Sequence, residues 1–436
     1  MRNIIICCDG TGNEISENIS NVLKLYRCLR KTERTHPRQL VYYDPGVGTL
    51  ARPNPWHTLK QDFELVLGLL TGYGLDDHVL AAYDFLVRNY EDGDLISLFG
   101  FSRGAYTVRV LAGLIHKVGL IRPEQANLAG SGLTAYKQYS GGGAGDPRAL
   151  ADAGSDENGP LPVDRFDLAA QFARITSTRL PTIHFVGVWD TVASVIVPRP
   201  DRLYWPSLEE LAFTLENPSV RTFRQAISID ERRTMFRLKT WNEPQAFWRN
   251  RFIPADKVEQ QDILQVWFAG AHADIGGGRP EKESALSKYP LLWMIGEAEK
   301  SGLSFNHQNV NQLAWGIPRR NSPFSYVAPG VAGRMHDSMT AAWRVLEYLP
   351  KRAKYREWPD RQVHFGFYIP DAEPRLIPEG AHVHESVVKR MDAVPKYRPV
   401  NLPAHFDIVP MPAGPEFASA APLPDAGLSR ELPPAS

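Results

Sequence analysis

The sequence predicts an α/β fold with a mainly parallel central sheet flanked by helices. Five short apolar runs rich in β-branched residues predict strands that are buried on both faces, and helical patterns lie between them. Strand alternating with helix favours a parallel sheet that is covered on both sides. The composition agrees, because 43% of the 436 residues are hydrophobic and can fill a large core.

The elements follow one another along the chain. The strands are predicted at Asn3 to Cys8, Gln39 to Tyr43, Asp94 to Phe99, Ile183 to Trp189 and Ile263 to Ala269. The helices are predicted at Ile19 to Leu29, Gln61 to Tyr90 with a break at Gly72 to Gly74, Ala105 to Val118, Phe166 to Ile175 and Ala285 to Lys300. A further strand at Gln362 to Ile369 is a second hypothesis, and it would change which residues are assigned to the candidate active site.

Residues 1–409 are predicted to form one elaborated domain with two insertions. The segment 198–262 breaks the strand and helix rhythm and is a candidate helical or irregular cap; its aromatic residues suit an acyl pocket and a core layer equally well. The segment 130–159 is Gly-rich and predicts a flexible surface insertion. Residues 410–436, in which Pro and Ala supply 13 of 27 positions, predict a disordered tail.

Charge and hydropathy exclude several classes of partner. Lys plus Arg and Asp plus Glu both number 49, so no net field favours nucleic acid, although a local basic patch stays open. Apolar runs such as Leu65 to Leu70 are far shorter than the ~20 residues of a membrane span. No leader peptide or cofactor motif is visible, and three cysteines (Cys7, Cys8, Cys28) suit reduced thiols. We therefore expect synthesis in the cytoplasm, with peripheral membrane contact as the remaining membrane hypothesis.

The sharpest motif is Gly100-Phe101-Ser102-Arg103-Gly104, which lies between a predicted strand and a predicted helix. In the nucleophile elbow of α/β hydrolases, such a turn lifts a serine Oγ out of the sheet, and the glycines allow close packing. The motif in this context predicts the α/β-hydrolase fold with Ser102 as nucleophile.

A serine nucleophile needs a base and a carboxylate that orients the base. Asp190 ends the predicted strand Ile183 to Trp189, and His272 follows the predicted strand Ile263 to Ala269. Reactive groups in open α/β sheets gather beyond the carboxyl ends of strands. The first hypothesis is therefore a triad of Ser102, Asp190 and His272.

A second assignment is equally compatible with chain order. If Gln362 to Ile369 adds a strand, the acid would be Asp274 and the base would be His382 or His384. Residue order alone leaves both assignments open.

The loop after the first strand, Cys8 to Asn13, could supply half of an oxyanion hole. The backbone N–H groups of Arg103 and of the loop around Thr11 are the predicted donors. The loop lacks the Gly-Lys-Ser/Thr ending of a phosphate-binding loop, and Cys7 replaces the second aspartate of a phosphoryl-transfer motif. A divalent metal held by Asp9, Asp44, His272 and Asp274 is a minor alternative without a recognised ligand spacing.

Five blocks in one order resemble a known family: Cys8 to Asn13, Tyr43 to Thr49, Gly100 to Tyr106, Val188 to Val192 and Trp267 to Gly278. The family is a bacterial and fungal α/β-hydrolase family, long catalogued as a domain of unknown function, whose best-understood members are phospholipase effectors of type VI secretion. The resemblance implies a Ser-Asp-His triad at Ser102, Asp190 and His272. It also implies a phospholipid substrate, a secretion-system or immunity-protein partner, and export without a leader.

Together these observations predict a lipase-like or phospholipase-like serine hydrolase that cleaves carboxylic esters through an acyl-enzyme. Two alternatives stay open: a non-catalytic hydrolase scaffold that binds a partner, and a metal-dependent hydrolase that uses Asp9, His272 and Asp274.

Overall fold

A computed structural model of the chain describes residues 1–10, 18–46, 74–141, 168–192, 196–198, 206–208, 211–249, 254, 257–353, 356–412 and 414–415. The fifteen strands of these residues are β1 (Asn3–Cys8), β2 (Gln39–Asp44), β3 (Leu95–Phe101), β4 (Ile183–Trp189), β5 (Ile196–Pro198), β6 (Pro206–Leu208), β7 (Val220–Ser228), β8 (Ala246–Phe247), β9 (Glu259–Gln260), β10 (Asp262–Phe268), β11 (Lys351–Arg352), β12 (Val363–His364), β13 (Phe367–Tyr368), β14 (Ala381–His384) and β15 (Phe406–Val409). The α-helices of these residues are α1 (Asn21–Cys28), α2 (Leu75–Asn89), α3 (Arg103–Lys117), α4 (Ala129–Gly141), α5 (Leu168–Thr176), α6 (His272–Gly276), α7 (Lys288–Lys300), α8 (His307–Leu313), α9 (Ala341–Glu347) and α10 (Glu385–Ala393).

Eight strands form a central sheet in the order β15-β14-β10-β7-β4-β3-β1-β2, and all of its pairings are parallel. Side chains of β1 alternate between two apolar clusters, with Ile4 and Ile6 on one face and Ile5 and Cys7 on the other. Helices α2 and α3 cover the first face, and α1 and α7 cover the second. The predicted α/β fold is confirmed, and the sheet is buried on both sides because βα crossovers place helices there.

The segment 198–262 is not simply a cap, because it supplies β7 to the middle of the sheet, between β4 and β10. The strand was missed because polar residues interrupt its apolar run. Arg224 is buried in ion pairs with Glu297 (2.6 Å) and Asp262 (2.7 Å), and Gln225 accepts a hydrogen bond from Arg109 (2.8 Å). Buried polar groups are tolerated where each finds a partner.

The predicted flexible insertion 130–159 begins as a helix. Residues 129–141 form α4, in which Leu133 and Tyr136 are buried against the core and the Tyr136 hydroxyl donates to the Ala212 carbonyl at 2.5 Å. Residues 142–159 of this insertion and residues 416–436 of the predicted tail lie outside the described residues.

The further strand considered at Gln362 to Ile369 does not join the central sheet. These residues form β12 and β13 of a separate antiparallel sheet with β11, while β14 and β15 complete the central sheet. Of the five aromatic residues of the candidate cap between positions 236 and 252, Phe236, Trp241 and Phe247 are buried, Trp248 is half-buried and Phe252 lies outside the described residues.

All three cysteines are free and buried, as expected for reduced thiols. None of the helices that the structure describes has the length and apolar character needed to cross a bilayer.

Candidate active site

Ser102 lies at the turn from β3 into α3, and its backbone has φ 56° and ψ −121°. A positive φ is strained for a residue with a side chain and is common at functional sites. The turn also brings backbones into close contact. A Cβ added at Gly104 would lie 2.2 Å from the Cys8 carbonyl oxygen, and one at Gly100 would lie 2.5 Å from the Gly104 oxygen. The two glycines of the motif are therefore required by packing, as in a nucleophile elbow.

Asp190 and His272 are in direct contact at the carboxyl ends of their strands. The Asp190 Oδ2 atom lies 2.6 Å from His272 Nδ1, and both side chains are buried. Asp190 follows β4, and His272 begins α6 after β10. The carboxylate also accepts the Ser228 N–H at 3.1 Å from the end of β7. Parallel strands thus bring together at one sheet edge two residues that are 82 positions apart.

Arg375 makes two further bonds to the same carboxylate. Its guanidinium lies 2.5 Å from Asp190 Oδ1 and 3.2 Å from Oδ2, and it also donates to the Phe236 carbonyl at 2.8 Å. Burial alone would raise the pKa of Asp190, but the charge of Arg375 and the bond from His272 hold that pKa well below its usual value. Asp190 is therefore ionised and fully hydrogen-bonded.

The imidazole of His272 is held between aromatic rings. The Phe101 ring centroid lies 4.6 Å from it, and Phe236 meets it edge-on at 5.0 Å. Its backbone N–H donates to Glu231 Oε2 at 3.2 Å. Because burial by itself would raise the pKa of Glu231, the Arg233 partner is needed to lower it to about 2. These contacts fix the position of the ring.

Ser102 lies near this pair, because its backbone N–H donates to the carbonyl of Trp189, the residue before Asp190, at 3.2 Å. Gly10, which follows β1, also lies close to Ser102, since a Cβ there would lie 3.2 Å from Ser102 Cβ. Within the part of the chain that the structure describes, no hydrogen bond joins Ser102 to His272. Such bonds are often long in unliganded hydrolases and shorten when substrate binds.

The residues of the second assignment have other partners. Asp274 lies 2.6 Å from His336 Nδ1 and accepts the Ala271 N–H at 3.0 Å. His384 is fully buried, with Nδ1 2.8 Å from Ser386 Oγ, and burial lowers its pKa to about 4. His382 lies on the sheet surface, 3.9 Å from Asp407. The geometry therefore favours His272, with Asp190, over His384 as the candidate base.

The metal alternative receives no support from the described residues, in which no three His, Cys, Asp or Glu side chains are arranged to hold an ion. Asp9 accepts hydrogen bonds from Ser20 and Tyr43, and Asp44 contacts His78 at 2.7 Å. Of the two predicted oxyanion positions, Arg103 is the first residue of α3, where backbone N–H groups lack a helical acceptor. Thr11 lies outside the described residues.

Sequence reasoning missed Arg375, Glu231 and His336. Glu231 follows β7, so recognising that strand would have placed it at the sheet edge with Asp190. Arg375 and His336 lie in irregular segments that no periodic pattern distinguishes.

The eight-stranded parallel sheet and the strained serine after a central strand are features of the α/β-hydrolase class. Residues 2–297 match the protein family described as T6SS, Phospholipase effector Tle1-like, catalytic domain. This match covers well over half of the chain, which therefore belongs to the Tle1-like family. The resemblance carried by the five sequence blocks is confirmed.

Individual proteins that resemble this chain share only 18% to 31% sequence identity with it. The uncharacterized protein YEL023C of Saccharomyces cerevisiae is 31% identical over 242 residues, which are 54% of this chain and 32% of that protein. A crystal structure of an uncharacterized protein from Pseudomonas aeruginosa shares 18% identity over 70% of this chain and 46% of that chain, with a TM-score of 0.37. The Tle1 effector bound to the VgrG spike of the type 6 secretion system shares 19% identity over 66% of this chain and 52% of that chain, with a TM-score of 0.32. The chain thus spans about a third of the yeast protein and about half of each solved chain.

Proposed function

We propose that this protein is a serine hydrolase that cleaves carboxylic esters of lipids, with Ser102 as nucleophile, His272 as base and Asp190 as the orienting acid. The observation that carries this proposal is the buried Asp190–His272 pair beside the strained turn at Ser102. Membership of the Tle1-like phospholipase effector family supports the same type of hydrolase.

The geometry suggests a role for each of these residues in ester hydrolysis. Asp190 accepts a hydrogen bond from the Nδ1–H group of His272, which leaves Nε2 free to take the proton of Ser102 Oγ as that oxygen attacks the ester carbonyl. The tetrahedral oxyanion would be bound by the Arg103 N–H and by the loop around Thr11. His272 would then protonate the leaving alcohol, and water activated by the same imidazole would hydrolyse the acyl-enzyme.

A lipid substrate is supported by the apolar surroundings of His272. Val192, Phe236 and Trp343 form a buried cluster there, and Phe236 contacts the imidazole directly. We propose a phospholipid within this class, because the matching family is described as phospholipase effector Tle1-like. A VgrG-like spike is the corresponding proposed export partner, an immunity protein is a further one, and export would need no leader peptide.

The test combines active-site labelling with turnover. We expect a fluorophosphonate probe to label the wild-type protein but not Ser102→Ala, and we expect this variant to lose about 10⁶-fold in kcat on a short-chain p-nitrophenyl ester. A panel of phospholipids and neutral esters then identifies the substrate class.

The rival functions predict different outcomes. A folded wild-type protein that resists labelling would favour the non-catalytic scaffold, and activity that disappears with EDTA would favour the metal-dependent hydrolase. Full activity of Ser102→Ala would contradict the proposed mechanism.

A further inference from the structure

The small sheet of β11, β12 and β13 lies in a region with many exposed apolar side chains. Sixteen large hydrophobic residues are exposed in the part of the chain that the structure describes, and seven of them lie between positions 345 and 369. These seven are Val345, Tyr348, Leu349, Val363, Phe365, Phe367 and Ile369. Scattered exposed apolar residues are normal in proteins, whereas a cluster marks an interaction surface.

The turn between β12 and β13 exposes an aromatic ring, and the backbone of that turn is strained. His364 pairs with Phe367, so Phe365 and Gly366 form a two-residue turn, with φ values of 49° and 79°. Two positive φ angles define the type I′ turn, for which Asn-Gly is strongly preferred. Phe365 is strained there, and its side chain is fully exposed. The fold gains nothing from this ring, which points to a role outside the fold.

The strand register places further residues on one face of this sheet. Arg352 and His364 both lie opposite Phe367, so their side chains share its face, as does Ile369 two residues further on. All four side chains are exposed. The opposite face carries Tyr368, which is buried against the body of the protein. One face is thus anchored and the other is open.

Two arginines that are unpaired in the described part of the chain lie in the same stretch of chain as this open face. Between positions 344 and 373 there are six lysines and arginines and five carboxylates, and some of these charges are paired, as Arg361 is with Asp371 at 3.5 Å. Arg344 and Arg352 are exposed, and neither has a carboxylate partner within 4 Å among the described residues. Exposed apolar groups beside free cations complement the surface of an anionic bilayer.

The sheet is also tied to the candidate active site. Lys351 donates a hydrogen bond to Thr234 Oγ1, and Arg237 donates to the Tyr368 hydroxyl at 2.5 Å. Thr234 and Arg237 flank Phe236, whose ring contacts His272. The whole sheet lies beyond residues 2–297, so it is not part of the family match.

We propose that this open face, formed by Arg352, His364, Phe365, Phe367 and Ile369, docks the protein onto an anionic phospholipid bilayer. This surface is here called the hairpin face. Docking through it would place the candidate active site next to the proposed lipid substrate. This proposal rests on the proposed function, because docking brings the enzyme to a lipid substrate. The binding itself can be measured without turnover.

The experiment uses the full chain carrying Ser102→Ala, so that vesicles stay intact during sedimentation. We expect binding to phosphatidylglycerol vesicles, weaker binding to pure phosphatidylcholine, and loss of binding at 1 M salt because exposed charges are then screened. Phe365→Asn should weaken the partition about 10-fold or more, since a large apolar side chain no longer enters the lipid. Arg352→Gln should weaken it about fivefold.

Asn suits the positive φ of the turn, so the melting temperature of Phe365→Asn should not fall, and reduced binding cannot then be attributed to unfolding. Phe324→Asn, at an exposed aromatic outside this sheet, should bind like the parent protein.

Absence of vesicle binding, or equal binding by Phe365→Asn and its parent, would overturn the proposal. So would a concentration-dependent dimer that Phe365→Asn abolishes, because the occupant would then be a second copy of the chain. Binding that behaves as expected in a protein whose wild type resists fluorophosphonate labelling and hydrolyses neither soluble esters nor phospholipids would support the docking face while refuting the proposed function.

Discussion

Arg375 places a full positive charge against the carboxylate that binds His272. The guanidinium and Asp190 are both buried, and the two residues are 185 positions apart in the chain. Removing one partner of a buried ion pair leaves the other charge unpaired, which commonly costs about 3–5 kcal/mol. Arg375 is therefore a positioning residue, which acts on the candidate base through Asp190.

Arg375→Met is expected to raise the pH of acid unfolding. An aspartate has a pKa of about 3.9 in an unfolded chain, and Asp190 lies well below this value when folded. Ionised Asp190 thus stabilises the fold above about pH 4, and this stabilisation is lost as the pH falls through the folded pKa. Without Arg375, burial would raise the pKa of Asp190, so it would take up its proton at a higher pH.

Urea unfolding between pH 3 and pH 8 measures this effect. Arg88→Met removes a surface arginine paired with Asp84 and should behave like the wild type. If Arg375 acts through Asp190, Arg375→Met should destabilise an Asp190→Asn background much less than the wild type. Equal losses in both backgrounds would contradict this role. In the folded Arg375→Met protein, kcat should fall more than KM changes.

His272 and His384 differ in their surroundings, and substituting each of them tests which one is the catalytic base. His272→Ala should lower kcat by several orders of magnitude, on the order of the loss caused by Ser102→Ala, because the members of the proposed triad would act as a unit. His384→Gln should keep most of the activity of the folded protein, since His384 caps α10 and stacks on Phe268 in the interior. Turnover of a p-nitrophenyl ester measures both. The reverse result would restore the assignment of Asp274 and His384.

At the level of elements, the turn from β3 to α3 depends on the two glycines beside Ser102. Gly104→Ala would place a methyl group against the Cys8 carbonyl, a backbone atom that cannot move aside easily. We expect a loss of about 1–3 kcal/mol of stability. The displaced helix should also lower the rate of fluorophosphonate labelling.

Gly130→Ala is the matched control for this prediction. Gly130 is exposed in α4 with nothing within 4 Å of an added Cβ, so alanine should leave the fold intact and add about 0.5–1 kcal/mol. Thermal and urea unfolding compare the two variants. A Gly104→Ala protein as stable and reactive as the wild type would show that the close packing of the turn is not needed.

At the level of the whole molecule, the region that matches the family is not a complete unit. Residues 2–297 include Ser102, Asp190 and His272 but lack Arg375 and the two edge strands β14 and β15. A chain of residues 1–297 would expose β10 as an unpaired edge and leave Asp190 without its arginine. We expect this fragment to aggregate or to fail to label, while residues 1–415 label normally. Size-exclusion chromatography with probe labelling measures both, and a soluble, labelled 1–297 fragment would contradict the prediction.

Much of this molecule could be predicted from local patterns. The five predicted strands and α1, α3, α5 and α7 lie close to where the structure has them, because buried parallel strands and amphipathic helices produce apolar patterns over short windows. The missed strand β7 shows the limit of such patterns. Arg224 and Gln225 are hydrophilic side chains that are hydrogen-bonded in the interior, and only their distant partners explain their burial.

The sequence by itself determined the α/β fold, the glycine-bounded turn at Ser102 and the family, since each is carried by short stretches of neighbouring residues and by the order of those stretches along the chain. Only the tertiary structure decided that His272 meets Asp190, that Arg375 completes the pair and that Asp274 contacts His336 instead of His384. These contacts join residues 62 to 185 positions apart. Their partners are set by the order of strands in the sheet and by the path of the chain after it, which no local pattern encodes.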